Sequence, residues 1–226
     1  MQARRGPRGH CARVPRNHLV PPFHPDHARH SAPHGTAMPR IPLPAPEDMN
    51  PEQLAVYRKV VSGPRGRMQG PLRAAIHNPE LADRWQALGE LLRYRTSLSP
   101  RLSEIAILVT ARCCDSPFEW YAHRKEAEKA GLERDIIEAI LARARPAGLG
   151  DDDAIVHDYA LELNRTRSVS GPTHALALAR LGTRTVVELT ALVGYYTMVA
   201  MTLNAHEIPL PEGVQPAFSL PQEDLR

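Results

Sequence analysis

Aromatic residues are scarce in this 226-residue chain: Phe, Trp and Tyr together reach 5%. That scarcity excludes the stacking platform on which single-stranded nucleic acid is usually held. Long apolar runs are missing as well. No stretch of about 18 consecutive apolar residues occurs, so no membrane-spanning helix is expected. Cysteine is down to three, Cys11, Cys113 and Cys114. The last two are neighbours, the wrong spacing for a CxxC redox or zinc pair. An unpaired set of this kind fits a reducing compartment, and a cytoplasmic protein is expected. The chain also lacks a Gly-rich phosphate loop between strand and helix, an HExxH and a GxSxG. His77, His157 and His174 stand isolated, so no metal and no organic cofactor are expected. Runs of alternating polarity are absent, which leaves an all-α body.

The net charge of +3 is unevenly spread. Residues 1–40 hold seven Arg, no Lys and a single acid, Asp26, whereas the rest holds 21 basic and 24 acidic side chains. The body is mildly acidic and carries no nucleic-acid footprint. Residues 1–40 also contain seven Pro and six of the eleven His, with no apolar period. Such a segment cannot bury enough surface to offset the entropy of ordering. It lacks the apolar core of a secretory signal. Met38 opens MPRIPLPAPEDMNPEQ, which looks like a natural start. Residues 1–40 are therefore expected to be disordered or a mis-assigned extension, 41–212 a helical domain and 213–226 a loose tail. Apolar residues at 42% of the chain permit one sizeable core.

From Asn50 onward the punctuation is that of successive helices. Asn50-Pro51-Glu52, Asn78-Pro79-Glu80, Ser99-Pro100 and Ser116-Pro117 each pair an N-cap residue with proline at the first helical position. They predict helices from 51 to about 62, near 79–95, from 100 to about 114 and from 117 to Gly131. Leu81, Trp85, Leu88, Leu91 and Leu92 form the expected buried stripe of the second. Shorter or later helices are expected at 133–144, 151–166, 172–181 and 183–205. Arg101–Val109 (RLSEIAILV) echoes Thr185–Val193 (TVVELTALV), a lone Glu early in a very apolar helix each time. That echo suggests a repeated helical pair.

Three residues carry the chemistry. Glu104 has Ile107, Leu108 and Ala111 at i+3, i+4 and i+7, so its carboxylate lies on an apolar face. Such a carboxylate is either paired, with Arg84 or Arg101, or held ready for proton transfer. Glu119 and His123 are four apart and share a helix face, where a carboxylate can orient an imidazole. Glu119 also completes a capping box with Ser116, a purely structural alternative. Glu188 reads as a structural carboxylate, and His206 as a cation at a helix C-terminus.

Glu104, Glu119-Trp120-x-x-His123, Ala127 and Gly131-Leu132 together resemble the core motif of the carboxymuconolactone decarboxylase family, within the alkyl hydroperoxidase D superfamily. Glu188, Gly194-Tyr195-Tyr196 and Leu203-Asn204-Ala205 extend the likeness, which covers roughly 48–212. The resemblance implies a helical bundle of the alkyl hydroperoxidase D type, assembled as a homotrimer or homohexamer. In the peroxidase branch two cysteines and a histidine form the thiol centre. Those cysteine positions fall here on Ser116 and Glu119, so both thiols are missing. In the decarboxylase branch a Glu four residues before the His is usual, and the reaction needs no cofactor. The resemblance therefore implies a cofactor-free lyase for a small organic acid or lactone. His123 is expected as electrophile or acid, Glu119 as its orienter and Glu104 as a buried proton donor. Such a site should be an apolar pocket with an Arg nearby to hold a carboxylate. Two alternatives stay open: a peroxidase of the peroxiredoxin type that recruits Cys113 or Cys114, and a non-catalytic oligomeric member.

Overall fold

A computed structural model describes residues 38–219. The expectations for residues 1–37, with Cys11 and the six N-terminal His, lie outside the described residues. The described part is all-helical, with eight helices, a 3-10 turn at Pro46–Asp48 and no strand among the described residues. The helices are α1 (Pro51–Ser62), α2 (Pro71–Ala75), α3 (Pro79–Tyr94), α4 (Pro100–Cys113), α5 (Pro117–Lys129), α6 (Arg134–Leu141), α7 (Asp151–Thr166) and α8 (Gly171–Ala205).

Their starts follow from local chemistry. The Asn50 side chain accepts from Gln53 N–H and Gln53 returns the bond, a complete capping box. Asn78 accepts from Leu81 N–H and Ser99 from Leu102 N–H. Asp151, Asp152 and Asp153 occupy the first turn of α7, where the helix dipole favours acids. Gly182 has φ 80° and ψ 162°, a conformation that breaks α8 into arms 171–181 and 183–205. Those arms are the two helices expected from the sequence. By length and composition alone α8 is long and apolar enough to cross a membrane. The break at Gly182 divides it, and half of its most apolar window is buried inside the fold.

Helix α4 is the centre of the molecule. Every residue from Ser103 to Ala111 is buried, because α5, α7 and α8 pack around it. A helix apolar all round is stable only in such a position. This places Glu104 inside the protein, on a helix held from several sides.

Two expectations are corrected. The stripe on α3 is only partly buried: Trp85 and Leu92 point inward, together with Ala82 and Gly89, whereas Leu81, Leu88 and Leu91 are each about half exposed. The helix turns its Ala82–Trp85–Gly89–Leu92 face to the core, and the three leucines fall beside it. Nor is the described part of the tail loose. Phe218 packs edge-on against Trp120 of α5 at 6.2 Å between ring centroids, with the Arg112 guanidinium 4.3 Å from its ring centroid. The echoing segments 101–109 and 185–193 fall on α4 and the second arm of α8, which pack together. Their glutamates have different surroundings. Glu188 accepts from Arg184 Nε at 2.9 Å and from the Ser97 N–H at 2.7 Å. Burial opposes its ionisation, but these partners outweigh that and hold its pKa below the usual range. It is a structural carboxylate, as expected.

Candidate active site

Helix α5 turns Glu119, Trp120, His123 and Ala127 inward, one face at helical spacing. His123 Nδ1 meets Glu104 Oε2 at 2.8 Å, joining α5 to α4. An Nδ1–H donated to that carboxylate fixes the ring and leaves Nε2 for a ligand. The ring also stands edge-on to Tyr196, 4.8 Å between centroids. Asn204, late in α8, donates to the Cys114 carbonyl at 2.9 Å, which ties α8 to the turn leading into α5.

The site residues are thus brought together, but not in the expected pairing. The imidazole is held by Glu104 across helices, not by Glu119 along one. Neither arginine proposed for Glu104 reaches it: Arg84 pairs with Glu80, and Arg101 with Asp153 and Glu133. The capping box at Ser116 does not form either. Ser116 makes no side-chain cap, and its hydroxyl has no partner. Glu119 is 1% exposed, and neither of its carboxylate oxygens has a hydrogen-bond partner. An ionised carboxylate in that position would be very costly. Burial, and then the negative charge of Glu104, pushes its pKa well above the usual range. Its surroundings therefore favour the protonated acid over the carboxylate.

His123 and Glu119 edge a cavity of about 330 Å³. Its other walls come from the 63–70 loop (Arg65, Arg67), the end of α3 (Arg93, Tyr94), Phe118 and Glu126 of α5, and Tyr195 and Tyr196 of α8. Glu104 stands behind His123 and is not part of the wall. The pocket is not the apolar one expected, because three arginines and several phenols line it. Tyr196 keeps its proton: burial raises its pKa well above the usual phenol value, although Arg93 opposes this. The sequence did not single out Arg93. At the end of a helix, Arg93 reads as an ordinary dipole partner. Tyr195 and Tyr196 entered only as part of a likeness. Their adjacency in a buried helix was the available signal.

Cys113 and Cys114 are free and do not line this cavity. The Cys114 thiol is pushed up to about 11 by burial, then by Glu119 and Cys113. Burial also raises the pKa of Cys113. Among the described residues no cluster of His, Cys, Asp and Glu could hold a metal ion.

Residues 79–153, which contain Glu104, Glu119 and His123, match the family model described as the carboxymuconolactone decarboxylase family. The resemblance read from the motif is borne out over that span. Two solved structures share the fold. An uncharacterized peroxidase-related protein from Silicibacter sp. TM1040 superimposes with a TM-score of 0.64 at 17% identity, covering 82% of this chain and 97% of that one. An alkylhydroperoxidase AhpD core protein from Ralstonia eutropha JMP134, also described as peroxidase-related, gives 0.65 at 14% identity, covering 78% and 94%. Identities this low speak to fold alone. No curated protein matches the chain.

Proposed function

Proceeding from residues 79–153 as a carboxymuconolactone decarboxylase family segment, we propose that the protein is a cofactor-free lyase for a small organic acid or lactone, with 4-carboxymuconolactone as the first substrate to try. One observation carries this reading: a buried, unpartnered Glu119 and an imidazole anchored by Glu104 edge the same cavity. In the decarboxylation, the bond between the carboxylate carbon and the ring carbon breaks. CO2 departs, and the electron pair stays behind, delocalised onto a carbonyl oxygen as an enolate. An imidazolium at His123, its other nitrogen held by Glu104, stabilises that oxygen. Glu119 delivers its proton to carbon and regains one from solvent. The roles first expected of the two glutamates are thereby exchanged: Glu104 orients, and Glu119 donates.

The peroxidase reading draws on the descriptions of the two structural relatives. It needs a thiolate nucleophile, and the raised pKa of both half-buried thiols, away from the cavity, works against one. Alkylation of Cys113 and Cys114 is expected to leave turnover intact. The reading also includes a cytoplasmic homotrimer or homohexamer. The half-exposed Leu81, Leu88 and Leu91 support an interface between copies.

The test is CO2 release from 4-carboxymuconolactone by the full chain, its His123→Ala and Glu119→Gln variants and Glu104→Gln. Loss of about 100-fold or more in kcat is expected for the first two, the usual scale of a general acid. Release that survives both substitutions would remove these residues from the chemistry. No release by folded wild-type protein would sink the lyase reading for this substrate.

A further inference from the structure

The 63–70 loop carries Arg65 to the cavity wall, and there Nε and Nη2 are buried with no hydrogen-bond partner. Among the described residues Arg65 belongs to no ion pair. Leaving buried donors of a half-buried guanidinium unmet is costly, so native structures normally supply an acceptor. Tyr195 Oη lies beside the guanidinium, and this contact opposes the rise that burial gives the phenol's pKa; Nε and Nη2 are still left without a hydrogen-bond partner. The backbone has been cleared for both groups. A Cβ at Gly89 of α3 would sit 2.0 Å from Tyr195 Oη and 2.3 Å from Arg65 Nη2.

The charge around them has one sign in excess. Arg67 lines the same cavity with no ion pair among the described residues. Arg93 has Glu126 as its nearest acid, at a loose 3.9 Å. For Glu119, the other acid on the wall, burial and then the charge of Glu104 oppose ionisation. The group that satisfies the planar fork of a guanidinium, and that an excess of positive charge attracts, is a carboxylate. A volume of about 330 Å³ admits a small molecule at the lower end of ligand-pocket sizes.

We propose that Arg65, assisted by Tyr195, anchors a carboxylate that the reaction does not consume, at the end of the ligand remote from the reacting group. One end rests on Arg65, and the other faces His123 and Glu119. The assignment of that second end rests on the lyase reading; the anchor does not.

The experiment titrates glutarate and adipate, which lack a reactive leaving carboxylate, into the full chain by calorimetry. Wild type, Arg65→Met, Arg65→Lys and a surface control, Arg84→Met, are compared, and unfolding midpoints are recorded without ligand. At least one diacid is expected to bind wild type and Arg84→Met alike. Binding should weaken by about tenfold or more in Arg65→Met, the scale of charge-assisted hydrogen bonds, and less in Arg65→Lys. Without ligand, Arg65→Met should unfold at or above the wild-type midpoint, because no protein acceptor loses its partner. Equal binding by Arg65→Met and wild type would overturn the anchor, and so would binding of neither diacid. A lowered ligand-free midpoint in both Arg65 variants would make the residue structural and overturn it too. Because binding is read without turnover, absent CO2 release beside intact diacid binding would remove the lyase reading and leave the anchor standing.

Discussion

Glu119 shows how one residue can set stability against chemistry. Unfolded, its carboxyl ionises near the ordinary value of 4.5; folded, burial makes it hold its proton to higher pH. Between those two points the native chain binds one more proton than the unfolded chain. Stability must then fall as pH rises, by up to about 1.4 kcal/mol per pH unit for one proton. Glu119→Gln keeps the shape of the protonated acid and removes the titration. The variant is expected to be more stable than wild type at neutral pH, with the gap closing toward pH 4.5. Urea midpoints across pH 4.5–8 would check this. Parallel curves for the two proteins would mean that Glu119 is not held neutral. The sequence named Glu104 because it lies on an apolar helix face, and Glu119 and His123 because they share one face of a helix at a spacing of four. It could not assign the partners. The spacing of four within α5 pointed to a bond between Glu119 and His123, whereas the bond that forms, from Glu104 to His123, depends on how α4 and α5 cross.

Among the helices, α3 is the most informative. It is a scaffold with a bare position, Gly89, and the cavity wall is built over that position. An alanine there gains roughly 1 kcal/mol of helix propensity over glycine. Its Cβ would fall 2.0 Å from the hydroxyl of a buried, rigid tyrosine ring. Overpacking on that scale costs about 1–3 kcal/mol, and it wins because Tyr195 is wedged against Trp85 and Tyr196. Gly89→Ala is therefore expected to lower stability and to weaken diacid binding as the Tyr195–Arg65 pair is displaced. Thermal unfolding and calorimetry check the two effects, and a variant as stable as wild type would show that the wall is soft. Helix positions were legible because caps and prolines are local chemistry: Asn50, Asn78 and Ser99 accept the bonds expected of N-caps. Ser116 looked equally good and makes no such bond, because burial, not capping, governs Glu119.

For the whole molecule, Leu81, Leu88 and Leu91 stand out on α3, each about half exposed on one isolated chain. Spaced at seven and three residues, they make a row that a second copy could cover, in keeping with the proposed homotrimer or homohexamer. Leu88→Glu, alone and combined with Leu91→Glu, should shift the mass measured by light scattering toward the monomer, with the helical content kept. An unchanged mass would place any interface elsewhere, and a monomeric wild type would end the oligomer proposal. The charge spread belongs to the same scale. Several arginines of the body are in no ion pair among the described residues, and two of them, Arg65 and Arg67, lie together on the cavity wall.

The sequence by itself determined the helical class, most helix starts and the break at Gly182, since caps, prolines and glycines act on their own few residues of backbone. It also determined that a redox CxxC is absent and that Glu104, Glu119 and His123 are unusual in their settings. Only the tertiary structure decided which glutamate holds the imidazole, which is left without a partner, and that Arg65, Arg93 and Tyr195 join them at one cavity. Those outcomes depend on distances between residues far apart in the chain. Desolvation, which keeps the proton on Glu119, exists only once α4, α5 and α8 have closed around it.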